Sequence, residues 1–249
     1  SSDLVQSLAQ AADGAWADAV AGIAQRHQVA VVYGYPERGA DGRVYNAAQW
    51  IDASGLRCLN YRKAYLFGDL DRSQFAAAAQ SARTFDFHGW QVGMLICYDV
   101  EFPEATRALA LAGADLIAVP TANMAEYDFV ARSLVPVRAY ENQLFVAYAN
   151  FTGPEGGLQY GGLSVVAGPD GATLAQAGRE QALVFATLDD ERLTAARNAV
   201  QHVRDLTALH VDPPSGRGAH VADGAAGPGH RDVGLGDRRL GSAATHDLD

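Results

Sequence analysis

One cysteine lies where a buried strand should end and a helix should begin. The apolar run from Val92 to Ile96 is typical of a buried strand, and Cys97 follows it directly. The acidic and proline residues from Asp99 to Glu104 resemble a first helical turn, where acids are favoured by the helix dipole. A thiol at such a junction has its thiolate stabilised and can act as a nucleophile at neutral pH. A small buried cysteine that only packs is the alternative, and position alone does not separate the two.

Composition excludes several classes of partner. The chain has 249 residues, 49% of them apolar and 19% charged, which predicts one large globular α/β domain. Its net charge of -10 makes nucleic acid an unsuitable partner, and no apolar run is long enough to cross a membrane. Cys58 and Cys97 are the two cysteines and lie far apart, so neither a disulfide framework nor a zinc site is predicted. We therefore expect a reducing, cytoplasmic compartment and no signal peptide.

Short strands alternate with helices, and several neighbouring strands form hairpins. Helices are predicted at about 14–28, 103–112, 128–142 and 190–199. Strands are predicted at 29–35, 44–52, 57–61, 84–87, 90–97, 116–120, 144–149, 160–167, 173–176 and 182–188. This order predicts a mixed α/β arrangement rather than a purely parallel sheet.

The composition changes at Asp212. Residues 212–249 are rich in glycine, contain no aromatic residue and show no apolar period, so they cannot bury enough apolar surface to offset their ordering entropy. We expect a globular domain over 1–211, followed by a disordered or frame-shifted tail over 212–249.

Three segments, in this order, resemble the nitrilase superfamily of carbon–nitrogen hydrolases. They are Tyr61-Arg-Lys-Ala-Tyr-Leu-Phe67, Gly93-Met-Leu-Ile-Cys-Tyr-Asp-Val-Glu-Phe-Pro-Glu104 and Arg138-Ala-Tyr-Glu-Asn142, and the match spans residues 1–209. Further segments are similar to bacterial amidases that hydrolyse 5-aminopentanamide and to related stereoselective amidases: Val32-Tyr-Gly-Tyr-Pro-Glu-Arg38, Phe67-Gly-Asp-Leu-Asp-Arg-Ser73, Val119-Pro-Thr-Ala-Asn-Met124 and Tyr148-Ala-Asn150.

The resemblance implies an α/β fold of the four-layer α-β-β-α sandwich type, lacking the family's first strand and first helix. It also implies a homodimer or a larger homo-oligomer and a small-molecule amide as substrate. We expect no cofactor, and no metal either, because the seven histidines show no metal-ligand spacing. Cys97 would attack the amide carbonyl, and Lys63 would stabilise the developing oxyanion. Without the resemblance, Lys63 is an exposed lysine at a strand end.

Four further residues are expected to line the substrate pocket: Tyr98, Glu101, Asn123 and Met124. Glu101 is a candidate partner for a substrate ammonium, and a helix N-terminal acid that faces solvent is an equal alternative. Asn123 and Met124 follow a strand end, where open α/β sheets bind ligands, although packing within the loop would explain them as well.

The chain departs from the family pattern in its carboxylates. Residues 1–13 resemble the family segment that comes after the general-base Glu, so we expect this Glu to be absent from the chain. Glu37, in Tyr35-Pro-Glu, belongs to a later strand and is expected to be a surface turn acid. Asp69 or Asp71 could replace a second active-site Glu of many relatives.

Three functions remain open from these residues. The first is a thiol-dependent amidase that hydrolyses a short linear ω-amino carboxamide to acid and ammonia through a thioester. The second is a catalytically inactive relative that serves as a binding or assembly partner. The third is a hydrolase of N-carbamoyl amino acids or dicarboxylic acid monoamides.

Overall fold

A computed structural model describes residues 2–208, and the expected tail over 212–249 lies outside this range. The helices are α1 (Ser2–Leu8), α2 (Ala15–His27), α3 (Gly68–Arg72), α4 (Pro103–Leu111), α5 (Val135–Asn142), α6 (Asp190–Ala199) and α7 (His202–Ala208). The strands are β1 (Val31–Arg38), β2 (Val44–Ile51), β3 (Arg57–Arg62), β4 (Phe85–Phe87), β5 (Trp90–Met94), β6 (Leu116–Thr121), β7 (Phe145–Asn150), β8 (Thr152–Glu155), β9 (Leu158–Gly161), β10 (Val165–Ala167) and β11 (Thr173–Gln176).

The strands form two main sheets and a separate hairpin. β1, β2 and β3 make a three-stranded antiparallel sheet, while a six-stranded sheet has the order β11-β10-β7-β6-β5-β4. Its central strands β5, β6 and β7 are parallel, and the outer strands pair antiparallel. β8 and β9 pair with each other. The expected mixed α/β arrangement is therefore confirmed.

The two sheets face each other across one apolar core. Trp50 and Leu59 of the three-stranded sheet belong to the same buried cluster as Ile117 and Val146 of the six-stranded sheet. Helix α2 packs against β2, and α5 packs against β7, which completes the order α-β-β-α. This layering buries the strands of both sheets and brings the ends of β3, β5 and β6 together at one edge.

Helix α4 lies close to the strand that carries the candidate nucleophile. A Cβ atom at Gly93 would lie 2.8 Å from a side-chain carbon of Leu109, which is itself fully buried. Glycine permits this approach, because a Cβ at this position would force the buried Leu109 side chain to move. Gly93 therefore fixes the position of α4 relative to the end of β5.

Three predicted elements differ in the structure. The expected strand at 160–167 is divided into β9 and β10 by a turn in which Gly162 and Leu163 have positive φ. The helix expected at 128–142, with an interruption or bend at Pro136, is present but contains a π-helical segment, Val130–Leu134, just before Pro136. The wider turn accommodates the proline, which has no N–H to donate inside a helix.

The third difference is the segment 182–188, for which the expected strand is wrong. It has no regular structure, and Leu183 and Phe185 are 86% and 82% exposed. Its continuous apolar run over 182–186 satisfies the strand pattern, but no strand within residues 2–208 pairs with it. Over the same residues, no helix is both long and apolar enough to span a bilayer.

Candidate active site

Cys97 lies in a strained turn at the end of β5. Its φ of 48° is in the left-handed region, which a residue with a Cβ seldom adopts without a compensating environment. The chain then makes one short helical turn, Cys97–Glu101, and α4 begins only at Pro103. The candidate nucleophile therefore does not lie at the N-terminus of α4, as the sequence had suggested.

The surroundings of Cys97 disfavour its ionisation to a thiolate. Burial raises the pKa of Cys97, and the nearby carboxylate of Asp71 adds to that rise. The positive charge of Lys63 and the backbone N–H groups of Ala122 and Tyr98 lower the pKa, but only in part. Burial thus outweighs the charges and N–H groups that favour the thiolate, so this thiol needs a base to become a nucleophile.

Lys63 is buried, in contrast to the usual fate of a lysine at a strand end. It follows β3 directly and is 2% exposed, and its Nζ lies 2.5 Å from Oδ2 of Asp71. The same oxygen of Asp71 accepts a hydrogen bond of 3.0 Å from the Phe67 backbone N–H. Asp71, rather than Asp69, is thus the acid of this loop that reaches the site.

Asp99 connects the two segments that carry Cys97 and Lys63. The side chain is fully buried, and its Oδ2 accepts hydrogen bonds from the Ile96 N–H at 3.0 Å and the Tyr61 hydroxyl at 2.9 Å. Its Oδ1 accepts a hydrogen bond of 2.8 Å from the Tyr65 N–H. The sequence suggested only a helix-terminal acid here, and the three donors are visible only in the fold.

All six residues predicted for the site line one cavity of about 460 Å³, here called the Cys97 cavity: Lys63, Cys97, Tyr98, Glu101, Asn123 and Met124. Phe67, Asp71, Phe151 and Tyr160 also line it, and of these the sequence had indicated only Asp71 as a candidate. Phe67 contacts Tyr98 edge to face, with ring centroids 5.3 Å apart, and Phe151 contacts Tyr160 in the same way at 5.2 Å. The cavity therefore has apolar aromatic walls around a small set of charged groups.

Asn123 and Met124 are held by the neighbouring strands. The Asn123 N–H donates to Oδ1 of Asn150 at 2.7 Å, and the Asn150 amide donates in turn to the Asn123 carbonyl oxygen at 3.2 Å. Met124 forms an isolated antiparallel bridge with Tyr160 of β9. These contacts fix the loop after β6 and join it to the β8-β9 hairpin.

Glu101 is the carboxylate of the cavity whose side chain has no partner within residues 4–208. Its backbone oxygen accepts a hydrogen bond of 2.7 Å from Arg138, but its carboxylate makes no hydrogen bond or ion pair there. Burial raises the pKa of Glu101, and the charges of Lys63 and Arg138 oppose this rise. The carboxylate is therefore free to meet a ligand.

A sandwich with a thiol, an ammonium and carboxylates in one cavity has the composition of a nucleophilic hydrolase site. The family model described as carbon-nitrogen hydrolase matches residues 2–198. The chain belongs to this family and is an enzyme that hydrolyses carbon–nitrogen bonds.

Several known proteins are similar to this chain. A protein described as the hydrolase in the pqqF 5' region of Pseudomonas protegens is 51% identical over 82% of this chain and 71% of its own length. An (R)-stereoselective amidase of a Pseudomonas species is 37% identical over 78% of this chain and 71% of its own length. A solved amidase of Nesterenkonia sp. AN1, in complex with butyramide, is 36% identical, with a TM-score of 0.67 over 74% of this chain and 71% of that one.

Proposed function

We propose that this protein is a thiol-dependent amidase that hydrolyses a short linear carboxamide carrying a terminal ammonium group. The observation that carries the proposal is the Cys97 cavity, which brings together a thiol, a buried Lys63–Asp71 pair and the unpartnered carboxylate of Glu101. The amidases among the similar proteins support the reaction class. The ammonium specificity follows from the charges of the cavity.

The reaction proceeds in two halves. The carboxylate of Asp71, which lines the cavity beside Lys63, takes the proton of Cys97. The sulfur attacks the amide carbonyl, and the carbon–oxygen double bond opens to an oxyanion. Lys63 and the backbone N–H of Tyr98 stabilise that oxyanion. The carbon–nitrogen bond then breaks, the nitrogen takes up the proton and leaves as ammonia, and a thioester remains. Water attacks the thioester in the same manner, which releases the acid and restores the thiol.

Glu101 provides the second point of recognition. A half-buried carboxylate without a partner is unfavourable, and a substrate ammonium would compensate it. The aromatic rings of Phe67 and Tyr98 line the same cavity, so they can pack against the methylene chain of the substrate or face its cation. An ω-amino amide can place its amide group at Cys97 and its ammonium group at Glu101.

The same charges disfavour an acidic substrate. Lys63 is already paired with Asp71, and Arg138 donates to the carbonyl oxygens of Val100 and Glu101 and to the Glu141 carboxylate. A substrate carboxylate, as in an N-carbamoyl amino acid or a dicarboxylic acid monoamide, would meet Glu101 without a free cation beside it. Like charges at this range destabilise a complex.

The test compares two amides of equal chain length. Ammonia release is measured with 5-aminopentanamide and with pentanamide, using Cys97→Ala as the blank. We expect kcat/KM to be about tenfold higher for the amino amide, which corresponds to one charged contact of modest strength. Equal values for the two amides would refute the ammonium specificity and leave the amidase intact. The absence of ammonia from both amides would favour the inactive binding protein.

The expected homodimer remains a prediction. Phe129, Val137 and Tyr140 are exposed large apolar residues before and on α5, and such a group favours association of two copies. Light scattering of the purified protein measures the mass directly. A monomer at micromolar concentration would contradict the prediction.

A further inference from the structure

Asp99 stands out among the buried acids because it has no direct cationic partner. Within residues 4–208 it forms no ion pair, although its side chain is fully buried. Its three hydrogen bonds come from two different segments of the chain. A buried carboxylate is costly to desolvate, and packing alone would not require a charged side chain here. The hydrogen bonds of Asp99 therefore indicate a role beyond packing.

The donors to Asp99 flank the two residues proposed for chemistry. Ile96, which donates its N–H to Oδ2, immediately precedes Cys97. Tyr61 and Tyr65, which donate a hydroxyl and an N–H, lie two residues before and two residues after Lys63. One carboxylate thus holds the end of β5 against the end of β3.

We propose that Asp99 is a positioning residue that holds the Lys63 ammonium beside the Cys97 sulfur. The inference rests on the proposed function only in taking Cys97 as the nucleophile. Asp99 does not touch the substrate, since it does not line the Cys97 cavity and both of its oxygens are occupied by hydrogen bonds. It acts by fixing the relative position of the two strand ends.

The consequence for Cys97 has a definite sign. The charge of Lys63 lowers the pKa of Cys97 against the effect of burial. If Asp99 holds Lys63 in place, its loss raises the pKa of Cys97 and reduces the thiolate at neutral pH. If Asp99 acted only through its own negative charge, the change to Asn would remove that charge and lower the pKa of Cys97 instead. The two roles therefore predict opposite shifts.

The test measures thiolate directly and does not depend on turnover. Full-length protein is treated with iodoacetamide from pH 6 to 10, and alkylation of Cys97 and Cys58 is followed by mass spectrometry of their peptides. For Asp99→Asn we expect the Cys97 midpoint to rise by about one pH unit, which is about a tenfold lower rate at neutral pH. Cys58 lies on β3, away from Cys97, and serves as an internal control. Its alkylation rate should show the same dependence on pH in both proteins.

A second variant keeps the test decisive if Asp99→Asn does not fold. Tyr61→Phe removes one of the three hydrogen bonds to Asp99 without altering the charge, and should slow Cys97 alkylation about two- to fivefold. Tyr35→Phe is the matched control, because its hydroxyl donates to Asn60 in the same sheet, away from Cys97. An unchanged Cys97 profile in Tyr61→Phe, or an unchanged or faster one in folded Asp99→Asn, would overturn the proposal. Alkylation needs no substrate, so the role of Asp99 can be tested even if the protein fails to hydrolyse either amide.

Discussion

Two cavities border the three-stranded sheet, and the larger one is not the candidate site. The Cys97 cavity has about 460 Å³, whereas a second one of about 710 Å³ is lined by Glu37, Arg38, Gln49, Arg57 and Arg62. We call the second one the Glu37 cavity. Both contain a buried acid and at least one cation, so volume and charge content do not distinguish them. The two cavities differ in whether their buried carboxylates already have hydrogen-bond or ion-pair partners within the protein.

The buried acid of the Glu37 cavity is paired within the protein. Glu37 is 3% exposed and accepts from Arg62 at 2.5 Å and from the Asn60 amide at 2.8 Å, while Arg57 pairs with Asp18 at 2.5 Å. The expectation that Glu37 is a surface turn acid is therefore wrong, because it lies inside β1 and holds β3 through Arg62. In the Cys97 cavity, by contrast, a thiol and the Glu101 carboxylate are left available. The thiol and the unpartnered carboxylate identify the candidate site better than the volume of the cavity does.

The largest expected effect is the loss of the sulfur. Cys97→Ser should reduce ammonia release by at least about a thousandfold, because a serine hydroxyl is far harder to ionise than a thiol at the same place. Cys58→Ser, at the other cysteine, should retain full activity. Comparable rates from Cys97→Ser and the unaltered protein would exclude covalent catalysis through this residue.

The next effect separates catalysis from stability at Lys63. Lys63→Met should lower kcat about a hundred- to a thousandfold, since it removes one oxyanion donor. It also leaves Asp71 buried without its cation, which costs about 3–5 kcal/mol of unfolding free energy. The double variant Lys63→Met with Asp71→Asn removes both charges and should recover most of that stability in urea unfolding.

The double variant should nevertheless stay inactive. Recovery of hydrolysis together with stability would show that Lys63 serves only to neutralise Asp71, as Arg62 neutralises Glu37. The Cys97 cavity would then resemble the Glu37 cavity in this respect.

Elements with local signals were predicted well from the sequence, and those that depend on distant partners were not. The hairpin β1-β2, the helix α4 and the order of strands around Cys97 follow from apolar period and turn residues. Segment 182–188 carries the same strand signal but pairs with no strand among residues 2–208, because a strand needs a neighbouring edge as well as a pattern. The pattern of apolar residues indicates which face of a strand can be buried, but it does not show whether a neighbouring strand is present to pair with it.

The site shows the same division. Cys97 and Lys63 were found through segments that resemble a family, and the structure brings them to one cavity. The hydrogen bonds from Tyr61 and Tyr65 to Asp99 join residues that are 38 and 34 positions apart in the sequence. No local sequence pattern predicts such contacts. The raised pKa of Cys97 also depends on burial by several elements, which the sequence-based argument from a helix dipole did not include.

A smaller effect concerns substrate choice. Glu101→Gln should raise KM for 5-aminopentanamide about five- to tenfold and leave kcat/KM for pentanamide nearly unchanged, because only the amino amide carries a cation. Steady-state kinetics with both amides measures the difference. A parallel loss with both amides would mean that Glu101 shapes the site without reading the ammonium, and the specificity proposal would fail.

The smallest expected effect on hydrolysis is at Glu37, where the two cavities are compared directly. Glu37→Gln keeps the shape of the side chain but replaces a charge-assisted contact with Arg62, so unfolding free energy should fall by about 1–3 kcal/mol. The kcat and KM values for 5-aminopentanamide should stay within about twofold of the unaltered protein, because Glu37 lines the other cavity and not the Cys97 cavity. A tenfold fall in kcat at unchanged stability would mean that Glu37 takes part in catalysis despite its pairing. The distinction between satisfied and available groups would then no longer locate the active site of this fold.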